Sequence, residues 1–572
     1  MTDATRAPDE DDDAGKQQAF GIRRLVRVLL ADDIFQDVRE RLITNMSRFA
    51  DERLIVVWGL SILIGLGVGY AALAFRLVLG WVQWLWLGTR EEAILEAVAQ
   101  TPWFVILLAP VIGGLVVGVL LDRFVPTKRV HGVADVIEAR AISDSKVDTQ
   151  TGLWSALIAA ISLGSGASAG REGPVVHLGA TIASFIQSRF KLDGFCRSTL
   201  LACGGAAAVS ASFNAPIAGV LFAHEVILAH YSLRAFVPVV IASVVGGVIV
   251  RLHLGNAPTF FVPDYGITSF FEFPAFALLG LTCAAVAILF EVTIMATERR
   301  ASELTMPLWL RPALGGLVIG ATGIFLPEIL GVGYGATDLA LQQKLPLALL
   351  FTLIFAKTIL TAITLASRFG GGIFSPALYL GAMTGGAFGI LATSAFPEFA
   401  SSGGLYVLLG MGGVAAAVLG APISTTVMVF ELTGGYEMTI ALLLTVSISN
   451  GVTQAALGHS IFHWQLTRRG LSLADGPHRE IMQRMTVATF MVPLGADEPQ
   501  PELPEGNAAE TDTLKPGDSI ERALRTFDRI GETRIPVVSA VDATKVIAWA
   551  DQVAAVSALN RALIARSRDE HR

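Results

Sequence analysis

Charge is what this chain has least of. Asp, Glu, Lys and Arg make up 16% of its 572 residues, where soluble domains carry roughly a quarter. With 53% hydrophobic residues and a mean hydropathy of +0.59, that scarcity excludes an ordinary water-soluble domain. Cysteine is rarer still: Cys196, Cys203 and Cys283 all lie in apolar sequence and read as small core residues, not as a disulfide framework. No His/Cys/Asp/Glu run has metal-ligand spacing, and no phosphate loop or basic nucleic-acid patch is present, so no metal, cofactor or nucleic acid is expected. The first twenty residues lack the basic start and apolar core of a secretory signal. They carry Asp9-Glu10-Asp11-Asp12-Asp13 instead, which reads as a solvated tail.

What the chain has is glycine, 57 residues of it, and long apolar runs. Small residues let membrane helices approach closely. The runs 54–87, 103–121, 235–250, 270–296, 308–325, 345–366 and 438–457 suit helices that cross a bilayer, which needs about 20 apolar residues. Between them lie shorter Gly- and Pro-punctuated segments, 152–169, 174–187, 198–229, 374–393 and 403–432. Irregular backbone is tolerated in a membrane only inside protein or beside a watery cavity. A basic amphipathic stretch over 20–48, with Arg23, Arg24, Arg27, Arg39 and Arg41, and Arg468-Arg469 flank the apolar block. Both termini are therefore expected on the cytoplasmic side of the cell membrane.

The apolar block repeats itself. Gly170-Arg171-Glu172-Gly173-Pro174 is followed five residues beyond its proline by Gly179-Ala180, and Gly372-Ile373-Phe374-Ser375-Pro376 at the same distance by Gly381-Ala382. Further on come Ala215-Pro216-Ile217 and Ala421-Pro422-Ile423, each with a glutamate nine residues past its proline, Glu225 and Glu431. These agreements define two halves, and broken helices in matching positions of two halves point to a transport site. The expected division is 1–50 tail and amphipathic helix, 51–260 and 261–470 the two membrane repeats, and 471–572 a small cytosolic α/β module. Within that module a helix is expected near 519–530, a strand at 534–538 and a helix near 550–565.

An anion inside a membrane is served by the free N–H groups and positive dipole end of a helix N-terminus, more cheaply than by a buried cation. The glycine-rich breaks at 170–174 and 370–376 suit this. Glu172 is an ionisable residue within apolar sequence, hence a functional candidate. Its carboxylate could occupy an anion site and leave when protonated. The alternative is a structural ion pair with Arg171.

Gly170-Arg171-Glu172-Gly173-Pro174, Gly371-Gly372-Ile373-Phe374-Ser375-Pro376 and Phe213-Asn214-Ala215-Pro216-Ile217-Ala218-Gly219 resemble the signature motifs of the CLC chloride-channel and anion-transporter family, over about residues 50 to 470. The resemblance implies an all-α polytopic membrane protein of inverted repeats, a homodimer with one anion pathway per subunit, Glu172 as gate, and anion coordination by the amides of Ile373 and Phe374. Arg171 and Gly173 flank the gate. Three positions depart from the pattern. His131, in Val130-His131-Gly132, stands where the family's central serine would be, and Phe462 where its central tyrosine would be. An imidazole donor at His131 would favour a hydrogen-bonding anion such as bicarbonate or nitrate beside chloride; the bland reading is a helix cap. Val226 stands where proton-coupled members carry an inner glutamate, which favours passive or weakly coupled flux over proton antiport. The neighbours His224 and Glu225 offer a proton path, with a structural role the alternative for Glu225. The stretch 516–555 resembles little more than one repeat of a CBS domain, without a nucleotide site. Two rivals remain: a serine hydrolase at Ser168, in Gly166-Ala167-Ser168-Ala169-Gly170 with His177, and an anion sensor that signals through its C-terminal module.

Overall fold

The computed structural model describes residues 54–90, 94–255, 260, 265–433, 436–471, 482, 485–494, 512–539, 542 and 545–571. The acidic tail, the basic stretch 20–48 and nearly all of the linker 494–511 lie outside the described residues. The chain divides into units of residues 1–59 and 60–572, the first described only from Leu54 to Gly59, the start of a helix.

The helices in chain order are α1 (Leu54–Leu87), α2 (Ile94–Ala99), α3 (Trp103–Phe124), α4 (Val133–Ala141), α5 (Thr149–Gly164), α6 (Glu172–Gln187), α7 (Gly194–Phe213), α8 (Pro216–Phe222) and α9 (Leu233–Leu254). Then come α10 (Phe273–Ser302), α11 (Arg311–Phe325), α12 (Tyr334–Leu341), α13 (Leu347–Ala366), α14 (Phe374–Ala395), α15 (Gly403–Leu419), α16 (Pro422–Thr433), α17 (Tyr436–Leu457) and α18 (Ile461–Thr467). Among the described residues, eight helical stretches are long and apolar enough to cross a membrane. Seven correspond to the runs expected from sequence. The eighth, α14, was expected to be a short broken segment. It is one continuous helix of 22 residues, and most of it is buried in protein. Its glycines do not break it; they dock it. A Cβ on Gly381 would lie 2.3 Å from the Gly410 carbonyl oxygen of α15, and one on Gly385 2.0 Å from that of Tyr406.

The two halves are related by a local two-fold axis. Gly170 and Gly372 face each other as an antiparallel pair and exchange both backbone hydrogen bonds, at 2.7 and 2.6 Å. Such a reciprocal pair is itself two-fold symmetric. The symmetry recurs elsewhere. Gly179 packs on Gly204 between α6 and α7 as Gly381 packs on Gly410 between α14 and α15. Gly114 of α3 lies under the Pro312 carbonyl, and Gly316 of α11 lies under the Pro110 carbonyl. The repeat is therefore inverted, which sequence alone did not show.

Past α18 the chain forms a three-stranded antiparallel sheet, β1 (Val492–Pro493), β2 (Arg534–Val538) and β3 (Val546–Asp551), in the order β1-β3-β2. Helix α19 (Ile520–Ile530) lies between β1 and β2 in sequence, and α20 (Gln552–His571) follows β3. Ser519 caps α19 by accepting from Arg522 N. The core is Val487, Phe490, Leu514, Ile520, Phe527, Ile535 and Val537 with small alanines. Strands β1 and β3 were not expected from sequence: β1 has two residues, and β3 is followed at once by helix.

Candidate functional site

Helix α6 begins at Glu172 and α14 at Phe374, and the Gly170–Gly372 pair holds these two starts together. Glycine is required here. A Cβ on Gly372 would stand 3.0 Å from Gly173 N, and one on Gly170 2.8 Å from Glu172 Oε2 and 3.0 Å from Ser375 N. Proline follows each start, at 174 and 376, where its missing N–H costs nothing. The first N–H groups of a helix have no intrahelical acceptor. Among the described residues the amides of Ile373, Phe374 and Ser375 donate to no protein group. These unspent donors face the Gly170 turn, beside Glu172.

Glu172 is 1% exposed. Its Oε1 accepts from Tyr334 Oη at 2.9 Å and lies 3.8 Å from Arg171 Nε, and its Oε2 has no hydrogen-bond partner among the described residues. That 3.8 Å separation from Glu172 is long for an ion pair; Arg171 Nη2 donates to the Ser212 carbonyl at 3.0 Å, and its guanidinium stands 5.1 Å from the Tyr334 ring centroid. Phe374 packs on Phe213 and Phe222, with centroids at 5.0 and 6.2 Å, tying the second break to the Asn214-Ala215-Pro216 turn.

Tyr334 was not anticipated, and neither was Lys357. Lys357, on α13, is fully buried, and its Nζ donates to the carbonyls of Ile329 at 3.0 Å and Gly331 at 2.9 Å while lying 5.0 Å over the Tyr379 ring. A buried ammonium survives only with such partners. Its carbonyl ties fix the turn that ends at Gly333, φ +94°, from which α12 projects Tyr334. A lone lysine inside a 20-residue apolar helix was a signal in the sequence; the reach of Tyr334 to Glu172 across 162 positions was not.

His131 and Gly132 stand at the start of α4, and α18 packs against that helix. His131 Nε2 is 2.8 Å from Thr127 Oγ1, its Nδ1 is 3.8 Å from Asp135 Oδ1, and its ring meets that of His177 edge-on at 5.1 Å. Gly132 N donates to Asp135 Oδ2 at 2.8 Å, so this helix start is occupied by the chain's own carboxylate. Phe462 is buried in the first turn of α18. His131 and Gly132 line a cavity of about 270 Å³ together with Gly371, Trp464, Arg368 and Arg468.

His224 and Glu225 lie elsewhere, in the π-helical turn Ala223–Leu228. His224 Nδ1 is 3.1 Å from the His230 carbonyl. The Glu225 carboxylate accepts from Ile423 N at 3.0 Å and Ser424 N at 2.8 Å, and Glu431 accepts from Ile217 N at 2.9 Å and Ala218 N at 2.7 Å. Each half thus caps the Ala-Pro helix of the other. Ser168 is fully buried and donates to the Ile329 carbonyl at 2.9 Å, and among the described residues no histidine is bonded to it.

Inverted halves, close-packed glycines and paired helix starts deep among buried segments define a polytopic membrane transport protein with broken helices. The description "voltage gated chloride channel" matches this chain over residues 113–454. A ClcB-like chloride channel protein of Ralstonia nicotianae is 31% identical over 69% of this chain and 93% of its own length. A ClcA H(+)/Cl(-) exchange transporter of Cronobacter sakazakii is 28% identical over 73% of this chain and 91% of its own. In three dimensions a slow cyanobacterial Cl-/H+ antiporter shares the fold at a TM-score of 0.65 and 23% identity, over 72% of this chain and 97% of that one. A CLC-type fluoride/proton antiporter does so at 0.59 and 21%, with the same coverage. The chain belongs to the CLC family of voltage-gated chloride channels and transporters, and its class of activity is anion transport across a membrane.

Proposed function

We propose that this chain passes chloride or a related small anion, such as bicarbonate or nitrate, past the paired starts of α6 and α14, and that the Glu172 carboxylate competes for the same place. The observation that carries this is the juxtaposition itself: unspent amides at Ile373, Phe374 and Ser375 beside a buried carboxylate whose Oε2 is unbonded. Gly173 allows the close approach, while Arg171 adds positive potential without trapping the carboxylate. Protonating Glu172 removes the rival charge and opens the path, so flux rises as pH falls. His131, Gly132 and Phe462 are assigned to the inner end of the same path. The chain acts as a homodimer in the cell membrane with both termini cytoplasmic. Residues 51–260 and 261–470 are its repeats, and 471–572 is a CBS-like support, not a nucleotide sensor.

Coupling to protons is weak or absent in this reading. Val226 holds no proton, and the bonds of Glu225 to two amides commit it to capping α16. A second reading, obligatory proton antiport, is favoured by the relatives named as H(+)/Cl(-) exchangers. One experiment separates them. Purified protein in liposomes is assayed for electrogenic chloride flux from pH 4.5 to 7.5, with proton movement recorded in parallel, for the wild type and Glu172→Gln. The expected result is acid-activated flux in the wild type, pH-independent flux in the variant and no stoichiometric proton movement in either. A variant that keeps the wild-type pH dependence removes Glu172 from the gate.

A further inference from the structure

The cavity beside His131 has an arginine that nothing above uses. Of the cations in its wall, Arg129 is held by Asp135 at 2.6 and 3.0 Å, and Arg469 by Asp135 at 3.0 Å and Glu138 at 2.6 Å. Arg468 lies 3.7 Å from Glu298 and 5.3 Å over the Trp464 ring. Arg368 makes no hydrogen bond or ion pair through its side chain among the described residues, although it is mostly buried. It also sits at φ +71°. The position is the residue just past the C-terminal turn of α13, where Phe369 N bonds the Thr364 carbonyl and Arg368 N that of Leu365. Glycine is the favoured choice there, and a side chain in this conformation is strained. A cation that only complemented the helix dipole could stand anywhere in the last turn without that strain. This residue is two positions before Gly370 and five before Ile373.

We infer that Arg368 is an anion-capture residue, the station an anion occupies in this cavity before it reaches the amides of Ile373 and Phe374, and that it favours planar oxyanions of the nitrate and bicarbonate class over spherical halides. The inference rests on the anion-conduction reading above. The guanidinium offers two parallel N–H donors in a rigid fork, which matches two oxygens of a trigonal anion and has no equivalent match to a sphere. Arg129, Arg469, Asp135 and Glu138 neutralise one another nearby, and Glu298 in the same wall acts on both Arg468 and Arg368, one carboxylate for two guanidiniums, which leaves net positive charge on that pair. A volume of about 270 Å³ admits a partly hydrated polyatomic anion.

The test uses the full chain. Nitrate and chloride are the probes, with flux in liposomes measured against anion concentration and binding to detergent-solubilised protein measured by titration calorimetry. The variants are Arg368→Gln, Arg368→Lys and Arg368→Gly, the last because glycine accepts φ +71° and so preserves the turn. Gln and Gly are expected to raise the half-saturating nitrate concentration at least fivefold and that of chloride less than twofold; Lys, which keeps the charge without the fork, is expected to leave chloride unchanged and to show the same nitrate loss as Gln. Unchanged half-saturation in a monodisperse Gly variant overturns the inference, and an equal loss for both anions overturns the oxyanion preference. If the wild type passes neither anion yet binds nitrate in an Arg368-dependent way, the capture site stands and the conduction reading falls.

Discussion

At the scale of single residues, the tie between Tyr334 and Glu172 is the contact most open to test. A hydrogen bond to a charged group contributes about 1.5–3 kcal/mol, and here it holds a carboxylate whose other oxygen is unbonded. Tyr334→Phe keeps the ring that packs on Phe260 and beneath Arg171, and removes only the hydroxyl. Chloride efflux from liposomes at pH 7 should rise roughly tenfold, in line with the lower end of that range. Unaltered efflux would mean the carboxylate is held by something else. Glu291 makes the opposite case. It is fully buried on α10 with neither oxygen bonded among the described residues, and an unmet polar group costs about 1–3 kcal/mol. Glu291→Leu should raise the melting temperature in detergent by a few degrees; a fall would show that the carboxyl has a partner in the assembled protein. Sequence marked Glu172 because a charge in apolar surroundings stands out. It did not mark Tyr334, whose role depends on a turn fixed by a lysine on another helix, or Arg368, whose surroundings are assembled from four separate segments.

At the scale of elements, the reciprocal caps explain why the same glutamate recurs nine residues after each Ala-Pro. Both α8 and α16 are short, and the N–H groups of their first turns have no intrahelical acceptor. The carboxylate of the other half supplies two bonds to each. Replacing Ser, Thr or Asp caps by alanine costs about 0.5–2 kcal/mol, and a doubly accepting carboxylate belongs at the upper end. Glu225→Ala and Glu431→Ala should therefore each lower the melting temperature by several degrees, by similar amounts, and Glu225→Ala should leave proton movement in liposomes unchanged. Loss of proton movement with unchanged stability would reassign Glu225 to a proton path. The repeat was legible in sequence because Pro and Gly carry a backbone meaning of their own. The continuity of α14 was not, since a glycine that docks a helix and one that breaks it look alike until the neighbouring helix is placed.

At the scale of the whole molecule, symmetry concentrates the chemistry. An axis passing between Gly170 and Gly372 makes two helix starts converge where each alone would be an ordinary cap, and the same axis relates the Gly114–Pro312 contact to the Gly316–Pro110 contact. Every member of the core under the C-terminal sheet, from Val487 to Ala558, belongs to the segment past α18. Among the described residues that segment therefore encloses its own apolar core. The proposed anion path has the complementary property: Glu172, Tyr334, Lys357, Arg368 and the amides after Gly372 all precede α18. Deleting residues 475–572 should then leave the acid-activated chloride flux within about twofold of the intact chain once the amount of reconstituted protein is matched, because no kcal/mol of site geometry is drawn from the deleted part and 1.4 kcal/mol is needed for a tenfold change. A truncated protein that is monodisperse yet silent would place the module in control of the pathway and bring back the sensor reading, in which anion binding at the paired helix starts is reported through the sheet.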